Sequence, residues 1–528
     1  MFYRIRLMSD LSPRAAGADA GSASPPMTEV EVSLADVLTW SLEAGTDPLM
    51  LNLSGAQGNQ VLRLTERLRV LPGRRLVCVG RLGPDDQQVV VKWFFGADAL
   101  RYAERERQGF TAMQRAAVPA PELLASWRVP AMADTDGACV LVFTYLADAQ
   151  ELSDELLEHQ PELWVALWKL LAQLNLAGVV HNDLHFSNLL CLSDQGAAPR
   201  LWLIDGDAVT QLRNGPVAES TGLHAFAQLA AQARQTMSSA ELQTHWAHYC
   251  RACNWPVERL GRSALQSSYA KARRARVVHF QAKTRRTCSA FALRRTLLGQ
   301  ALVDRGWLGD TPQTPQPDSV RELLSWLDGL PDLFVGEAGP DAPRDVELLK
   351  AGNTATVIRA SWLGRELVIK RYNNKSVWHR LRRLLRANRG LNSWVYAHTL
   401  RFVGIPTAHA VALLRTRLGG PTYLVMEAHA GVELDATLLD GNEDLCQRLV
   451  AVLERLGAEG LVHNDTKASN FLWDATSLQL AVIDLDAMRM PARVSARLSG
   501  QKRDRRRLLR NFAATPELQR RFRGTLGL

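Results

Sequence analysis

His181-Asn182-Asp183-Leu184-His185-Phe186-Ser187-Asn188, followed by Leu203-Ile204-Asp205-Gly206-Asp207, is the stretch on which the reading of this chain turns. The pattern returns as His463-Asn464-Asp465-Thr466-Lys467-Ala468-Ser469-Asn470 and Val482-Ile483-Asp484-Leu485-Asp486. In both copies an apolar run reaches a His-x-Asp, an Asn stands five positions after the Asp, and a second apolar run ends at another Asp. The intervals agree: Asp205 lies 22 residues after Asp183, and Asp484 lies 19 after Asp465. Either gap holds one strand, a turn and a returning strand.

That is the layout of a kinase catalytic loop and its metal-binding strand. A hydroxyl attacking the terminal phosphate of ATP needs a carboxylate beside it to orient it and receive its proton, a role that suits Asp183 or Asp465. Magnesium prefers oxygen ligands and holds the phosphate charge. Asn188 or Asn470 offers it a carbonyl oxygen from the far end of the loop, and Asp205 or Asp484 a carboxylate from the neighbouring strand. Two residues after the Asp stand His185 and Lys467. Lys467 is placed to touch the transferring phosphate, whereas His185 would do so more weakly and with pH dependence.

Upstream, each copy carries a lysine inside an apolar strand, Val89-Val90-Val91-Lys92 and Leu367-Val368-Ile369-Lys370. The structural alternative is a lysine snorkelling at a strand edge; the kinase reading places Lys92 and Lys370 on the ATP phosphates. Catalytic Asp residues follow these lysines by 91 and 95 positions. The phosphate-covering loop is weak in both copies, Lys350-Ala351-Gly352-Asn353-Thr354 holding one glycine. A charged helix follows, about 98–115 in the first copy, with Glu104 and Glu106 available to pair with Lys92; Glu106 is the one assigned to the nucleotide site. In the second copy, about 386–402, aligning Pro119 with Pro406 sets Ser393 opposite Glu106, and no acidic residue lies from Arg371 to Phe402. Either another carboxylate such as Glu427 replaces it, or Lys370 is held differently.

The helix starts Ser33-Leu34-Ala35-Asp36 and Ser319-Val320-Arg321-Glu322 lie 286 residues apart, close to the 282 between the catalytic loops. A duplicated unit of α+β class is therefore expected. The boundaries are a disordered tail over 1–28, domain one over 29–308, a Pro-rich linker over 309–318 and domain two over 319–528. A length of 528 residues, 47% of them hydrophobic, suits two packed cores.

Seven scattered cysteines fit reduced thiols better than a disulfide framework. His245-x-x-His248-x-Cys250-x-x-Cys253 resembles a zinc motif, but on one helix its side chains do not converge, so core packing is expected. The net charge of +9 is concentrated at 271–286, 371–389 and 502–507. These runs are either solvated helix faces or seats for a polyanion such as lipid head groups or a phosphorylated glycan. Nucleic acid is disfavoured, because no recognition motif accompanies them. With no long apolar run and no signal-peptide core at Met1-Phe2-Tyr3-Arg4-Ile5-Arg6, a cytoplasmic location is expected.

Lys370-Arg371-Tyr372, Arg386-Ala387-Asn388-Arg389, Trp394, Gly404-Ile405-Pro406-Thr407, His463-x-Asp465 to Asn470 and Ile483-Asp484-Leu485-Asp486 resemble the bacterial lipopolysaccharide core kinases, the heptose and Kdo kinase group. The first copy resembles them more loosely, and its His181-x-Asp183-x-His185-x-x-Asn188 is also similar to aminoglycoside and choline kinases. The resemblance implies two tandem protein-kinase-like domains, each a small β-rich N-lobe with a mainly helical C-lobe. It implies ATP and Mg2+ as cofactors, a sugar hydroxyl of lipid A-core oligosaccharide as acceptor, and a peripheral position on the anionic inner face of the inner membrane. The chain departs from the family in its tandem arrangement, in the missing helix glutamate of the second copy and in the 44 residues left after Asp484. A protein or small-molecule acceptor, and a kinase/pseudokinase scaffold for envelope biosynthesis, are the alternative readings.

Overall fold

The computed structural model describes residues 27–525, except 43–46, 56–57, 72, 132–136, 193–198, 258–260, 311–315, 335–345, 374–387 and 418–419. The expected tail over 1–26 and most of the expected linker therefore lie outside the described residues; the first strand already begins at Thr28. Helices and strands are both abundant, and the chain divides into two compact units, one built mainly from residues up to Ala272 and one mainly from Arg273 onward.

In the first unit seven strands, β1 (Thr28–Glu31), β2 (Leu49–Gly55), β3 (Gly58–Leu71), β4 (Arg75–Leu82), β5 (Gln87–Phe95), β6 (Leu123–Val129) and β7 (Ala138–Thr144), close into a barrel in the order β1-β2-β3-β4-β5-β7-β6. A parallel pairing of β1 with β6 makes the closure. Period-two alternation fills the inside with Leu51, Leu53, Leu62, Leu64, Leu76, Cys78, Val89, Val91 and Trp93. Helix α1 (Leu34–Leu42) adds Leu34, Val37 and Trp40 to this core, and its first turn is capped by Ser33, whose Oγ accepts from Asp36 N. The same alternation turns Lys92 to the other face of β5. There helix α2 (Ala99–Arg115) presents a stripe of Ala99, Ala103, Glu106, Phe110 and Met113. A carboxylate within an otherwise apolar stripe is the feature that ties this helix to the lysine. Beyond the barrel the unit is mainly helical, with helices Glu162–Leu176, Glu219–Ala230 and Ser239–Cys253 around Trp168, Phe226, Trp246 and Tyr249. His245 accepts a hydrogen bond from Trp168 there, and Cys250 and Cys253 are buried thiols outside any disulfide, so most of the His/Cys run packs as core.

The second unit holds a seven-stranded antiparallel sheet. Its order runs Phe291–Arg295, Gly299–Asp304, Ala410–Thr416, Thr422–Glu427, Arg365–Tyr372, Ala355–Trp362, Val346–Ala351. Here the structure departs from the expected boundary. The units divide inside the helix Arg262–Lys283, and the hairpin 291–304, read in the sequence as part of domain one, joins this sheet. The reason is edge pairing: without Gly299–Asp304 the strand Ala410–Thr416 would carry an open ladder. Helices Arg389–Phe402, Glu443–Ala458, Val494–Asn511 and Pro516–Thr525 complete the unit, and Phe512 stacks on Phe522 at 5.1 Å to anchor the last two. The helix expected to start at Ser319 begins earlier, at Pro317, where a ring at the first helical position costs no hydrogen bond.

Candidate active site

In the first unit Lys92 is buried and pairs with Glu106 of α2, which is fully buried. Its Nζ also donates to Ile204 O at 2.9 Å. Arg75 from β4 binds the other oxygen of Glu106 at 2.9 Å and stands 3.8 Å from Asp205 Oδ1. Burial holds the Glu106 carboxyl above the usual carboxylate range, against the pull of Lys92 and Arg75. Asp205 shows the opposite balance: burial raises it, but Lys92 and Arg75 outweigh burial and bring it down to about 2.

Two glycines make this arrangement possible. A Cβ on Gly109 of α2 would lie 2.0 Å from Gly206 O, and one on Gly206 would lie 2.5 Å from Glu106 O. Helix and metal-strand loop therefore touch backbone to backbone, which brings Glu106 within reach of the Gly206 amide at 3.4 Å.

The catalytic-loop residues converge on the same place. His181, buried, bridges the two segments: Nε2 meets Asp205 O at 3.0 Å, and Nδ1 receives Asp183 N–H at 3.2 Å. Asn188 donates its amide to Asp183 O at 3.0 Å, which leaves its side-chain oxygen without a hydrogen bond among the described residues, while its main-chain oxygen receives Ile204 N–H. The Asp183 carboxylate is open to solvent; its side-chain partner is His185 at 3.7 Å, which holds it below the usual carboxylate range. His185 is itself oriented by Ser187 at 2.7 Å. An unpaired amide oxygen and a carboxylate ionised far below neutral pH form a donor set that suits a hard cation.

The second unit builds the same loop with different connections. His463 joins Ile483 O at 3.1 Å and Asp465 N at 3.3 Å, and Asn470 donates to Asp465 O at 2.6 Å. Lys370, with no helix carboxylate to meet, contacts Asp484 directly at 2.5 Å. Burial lowers Lys370, but the neighbouring acids and Tyr372 outweigh burial and leave it raised. Glu427 does not substitute for the missing glutamate: it binds His409 and Trp307. Ser393, opposite Glu106, hydrogen-bonds Tyr372 instead. The helix Arg389–Phe402 grips the loop through Arg389, which pairs with Asp486, and Asn392, whose amide reaches Leu485 O, Asp486 O and Met488 O. Asp484 itself takes a left-handed conformation at φ 58°.

Asp465 is enclosed. Arg507 pairs with its Oδ1, and Lys467 Nζ stands 3.7 Å from its Oδ2. Asp504, buried in the most basic run of the chain, accepts the amides of His463 at 2.7 Å and Asn464 at 2.9 Å. That run is thus partly a structural element of the loop, and Lys502, Arg503 and Arg506 are exposed cations within it.

All ten residues assigned from the sequence fall at one of these two places. Reasoning from sequence missed Arg75, Gly109, Gly206, Asp504 and Arg507. Gly206 had a signal, as the small residue between two acids in Asp205-Gly206-Asp207. Arg75 had none, because only the β4–β5 pairing brings it to the site.

Residues 92–249 match the family described as lipopolysaccharide kinase (Kdo/WaaP). Among solved structures the chain is similar to one described as WaaP in complex with acyl carrier protein, at 19% identity over 40% of this chain and 88% of that chain, with a TM-score of 0.32. No curated protein matches it. The matched segment begins at Lys92 and contains Glu106, Asp183, Asn188 and Asp205.

Proposed function

We propose that the protein is an ATP-dependent kinase that phosphorylates a sugar hydroxyl, of heptose or Kdo, in the lipopolysaccharide inner core, and that the first unit carries the transfer. The observation that supports this most is the solvent-open Asp183 beside a buried Lys92–Glu106 pair within the family-matched segment. Asp183 orients the acceptor hydroxyl and takes its proton. Lys92, fixed by Glu106, holds the nucleotide phosphates. Asn188 and Asp205 would hold magnesium, which would supply neutralisation of charge on the phosphates.

The second unit is a further kinase-like domain with Asp465, Lys370, Lys467, Asn470 and Asp484 in the corresponding places. Its Asp465 is occupied by Arg507, and its Lys370 by Asp484. These contacts favour a role in binding phosphate groups of nucleotide or acceptor rather than in transfer. Exposed cations such as Lys502, Arg503 and Arg506 suit an anionic acceptor on the inner face of the inner membrane. Among the described residues no helix is long and apolar enough to cross a membrane.

Phosphate transfer from labelled ATP to dephosphorylated lipid A-core tests this assignment. Wild-type protein and Asp465→Asn should label it and Asp183→Asn should not. Transfer surviving in Asp183→Asn and lost in Asp465→Asn would assign catalysis to the second unit, and labelling of neither acceptor sugar by wild type would refute the substrate.

A further inference from the structure

Four titratable side chains of the second unit take no part in the contacts of Lys370, Asp465 or Asp484. Asp304 ends the strand Gly299–Asp304, His398 lies in the helix Arg389–Phe402, His409 precedes the strand Ala410–Thr416, and Glu427 ends the strand Thr422–Glu427. His409 Nε2 is 2.8 Å from Asp304 Oδ2, and His409 Nδ1 is 2.9 Å from Glu427 Oε2. His398 is 4% exposed, with Nδ1 3.9 Å from Asp304 Oδ2 and Nε2 without a partner among the described residues. Trp394 and Phe291 enclose its ring at centroid distances of 4.3 and 4.7 Å.

Two features of this cluster need an explanation. A buried imidazole with neither nitrogen hydrogen-bonded carries an uncompensated desolvation cost. Both nitrogens of His409 also face carboxylate oxygens, and a neutral imidazole has one N–H to offer. A cation bound by His398 Nδ1 and His409 Nε2 gives the first imidazole a partner at one of its two nitrogens and removes the proton conflict at the second.

We infer that Asp304, His398 and His409 bind a divalent transition cation of the zinc class, with Glu427 holding the His409 ring from outside. One ligating atom from each of the three lies within 4.8 Å of the others. In a tetrahedral site with bonds of about 2.0–2.1 Å the donors stand about 3.3 Å apart. The two separations from Asp304, 2.8 and 3.9 Å, straddle that spacing, so movement of the side chains is needed to seat the ion. Glu427 accepts the Nδ1–H of His409 and so directs the Nε2 lone pair inward, as outer carboxylates do at histidine-bound metals. It is fixed in turn by Trp307 Nε1 at 2.7 Å, while the Trp307 amide reaches Asp304 Oδ1 at 3.3 Å. Two imidazoles and one carboxylate suit zinc and leave a fourth position for water. The ion would join three segments: the hairpin 291–304, the helix that lacks a glutamate, and the chain at His409 leading into the strand Ala410–Thr416. It would thus anchor that helix independently of the lysine.

The test uses the full chain, treated with chelator and returned to millimolar Mg2+ so that hard-oxygen sites are filled. Zn2+ titration followed by metal analysis should find one ion per chain in wild type. It should find none in His398→Ala or in Asp304→Asn, each checked by circular dichroism for an intact fold. Zn2+ at a hundredfold excess over Kd should raise the wild-type melting temperature by about 5 °C or more. Should either variant misfold, Co2+ bound to wild type decides: a visible spectrum of a four-coordinate nitrogen/oxygen site supports the proposal. No retained Zn2+ in wild type, or full stoichiometry in both folded variants, would overturn it.

Discussion

The two units use one sequence pattern to build two differently wired sites. In the first, the helix meets the metal-strand loop through glycine: Gly109 lies against Gly206, and Glu106 reaches both Lys92 and the loop. In the second, Tyr396 and Leu485 occupy the aligned positions, so that approach is closed to the backbone. Polar side chains take over, with Arg389 on Asp486 and Asn392 on three carbonyls. The lysine follows the helix. Where a glutamate arrives it is held away from Asp205; where none does, it falls directly onto Asp484. The His-x-Asp, Asn and Asp positions of the pattern can therefore be retained while the lysine's partner changes.

The largest expected effect lies in the two loop aspartates. Asp183→Asn, nearly isosteric, should lower transfer roughly 1000-fold, since the amide cannot accept the acceptor's proton. Asp465→Asn should leave transfer within about twofold of wild type. Steady-state transfer rates check this, and equal losses from both substitutions would erase the functional distinction between the units.

Much of each site was legible beforehand because its spacing is local. His181 to Asn188 and His463 to Asn470 are single turns of chain, and their strands follow from short apolar runs. The absence of an acid between Arg371 and Phe402 was equally visible, but not its consequence. That depended on where Lys370 points once Glu427 is engaged by His409 and Trp307, a matter of sheet order. The barrel was less legible than the loops. Strand β2 and the parallel closure of β1 on β6 are long-range pairings with no local signature. The hairpin 291–304 was assigned to the wrong side of the linker for the same reason: a strand's partner is chosen by an open edge, not by proximity in sequence.

A smaller effect separates the two helix attachments. Gly109→Ala drives a methyl group into Gly206 O and should destabilise the first unit by roughly 3 kcal/mol, with loss of transfer following loss of the helix position. Asn392→Ala removes one amide from three carbonyls and should cost the second unit about 2 kcal/mol, leaving transfer by the folded protein unchanged. Urea midpoints resolved for the two units check both numbers. A Gly109→Ala protein as stable as wild type would mean that the backbone contact between helix and loop is not what holds Glu106 in place.

The smallest effect is a pH dependence that belongs to the first unit's carboxylate. Asp205 lies between Lys92 and Arg75 and titrates at about 2, below its ordinary 3.8. A carboxylate depressed on folding binds its proton less readily in the native state, so its contribution is complete above the unfolded value and is lost as pH falls toward the folded one. The shift corresponds to about 2 kcal/mol at neutral pH and to about a third of that at pH 2.5. Asp205→Asn should therefore lower the urea midpoint of the first unit at pH 6, and the gap from wild type should narrow to about a third by pH 2.5. A gap of the same size at both pH values would show that the substitution acts by disturbing packing around Lys92 and Arg75. The electrostatic distinction between Asp205, held by two cations, and Asp484, held by Lys370, would then fail.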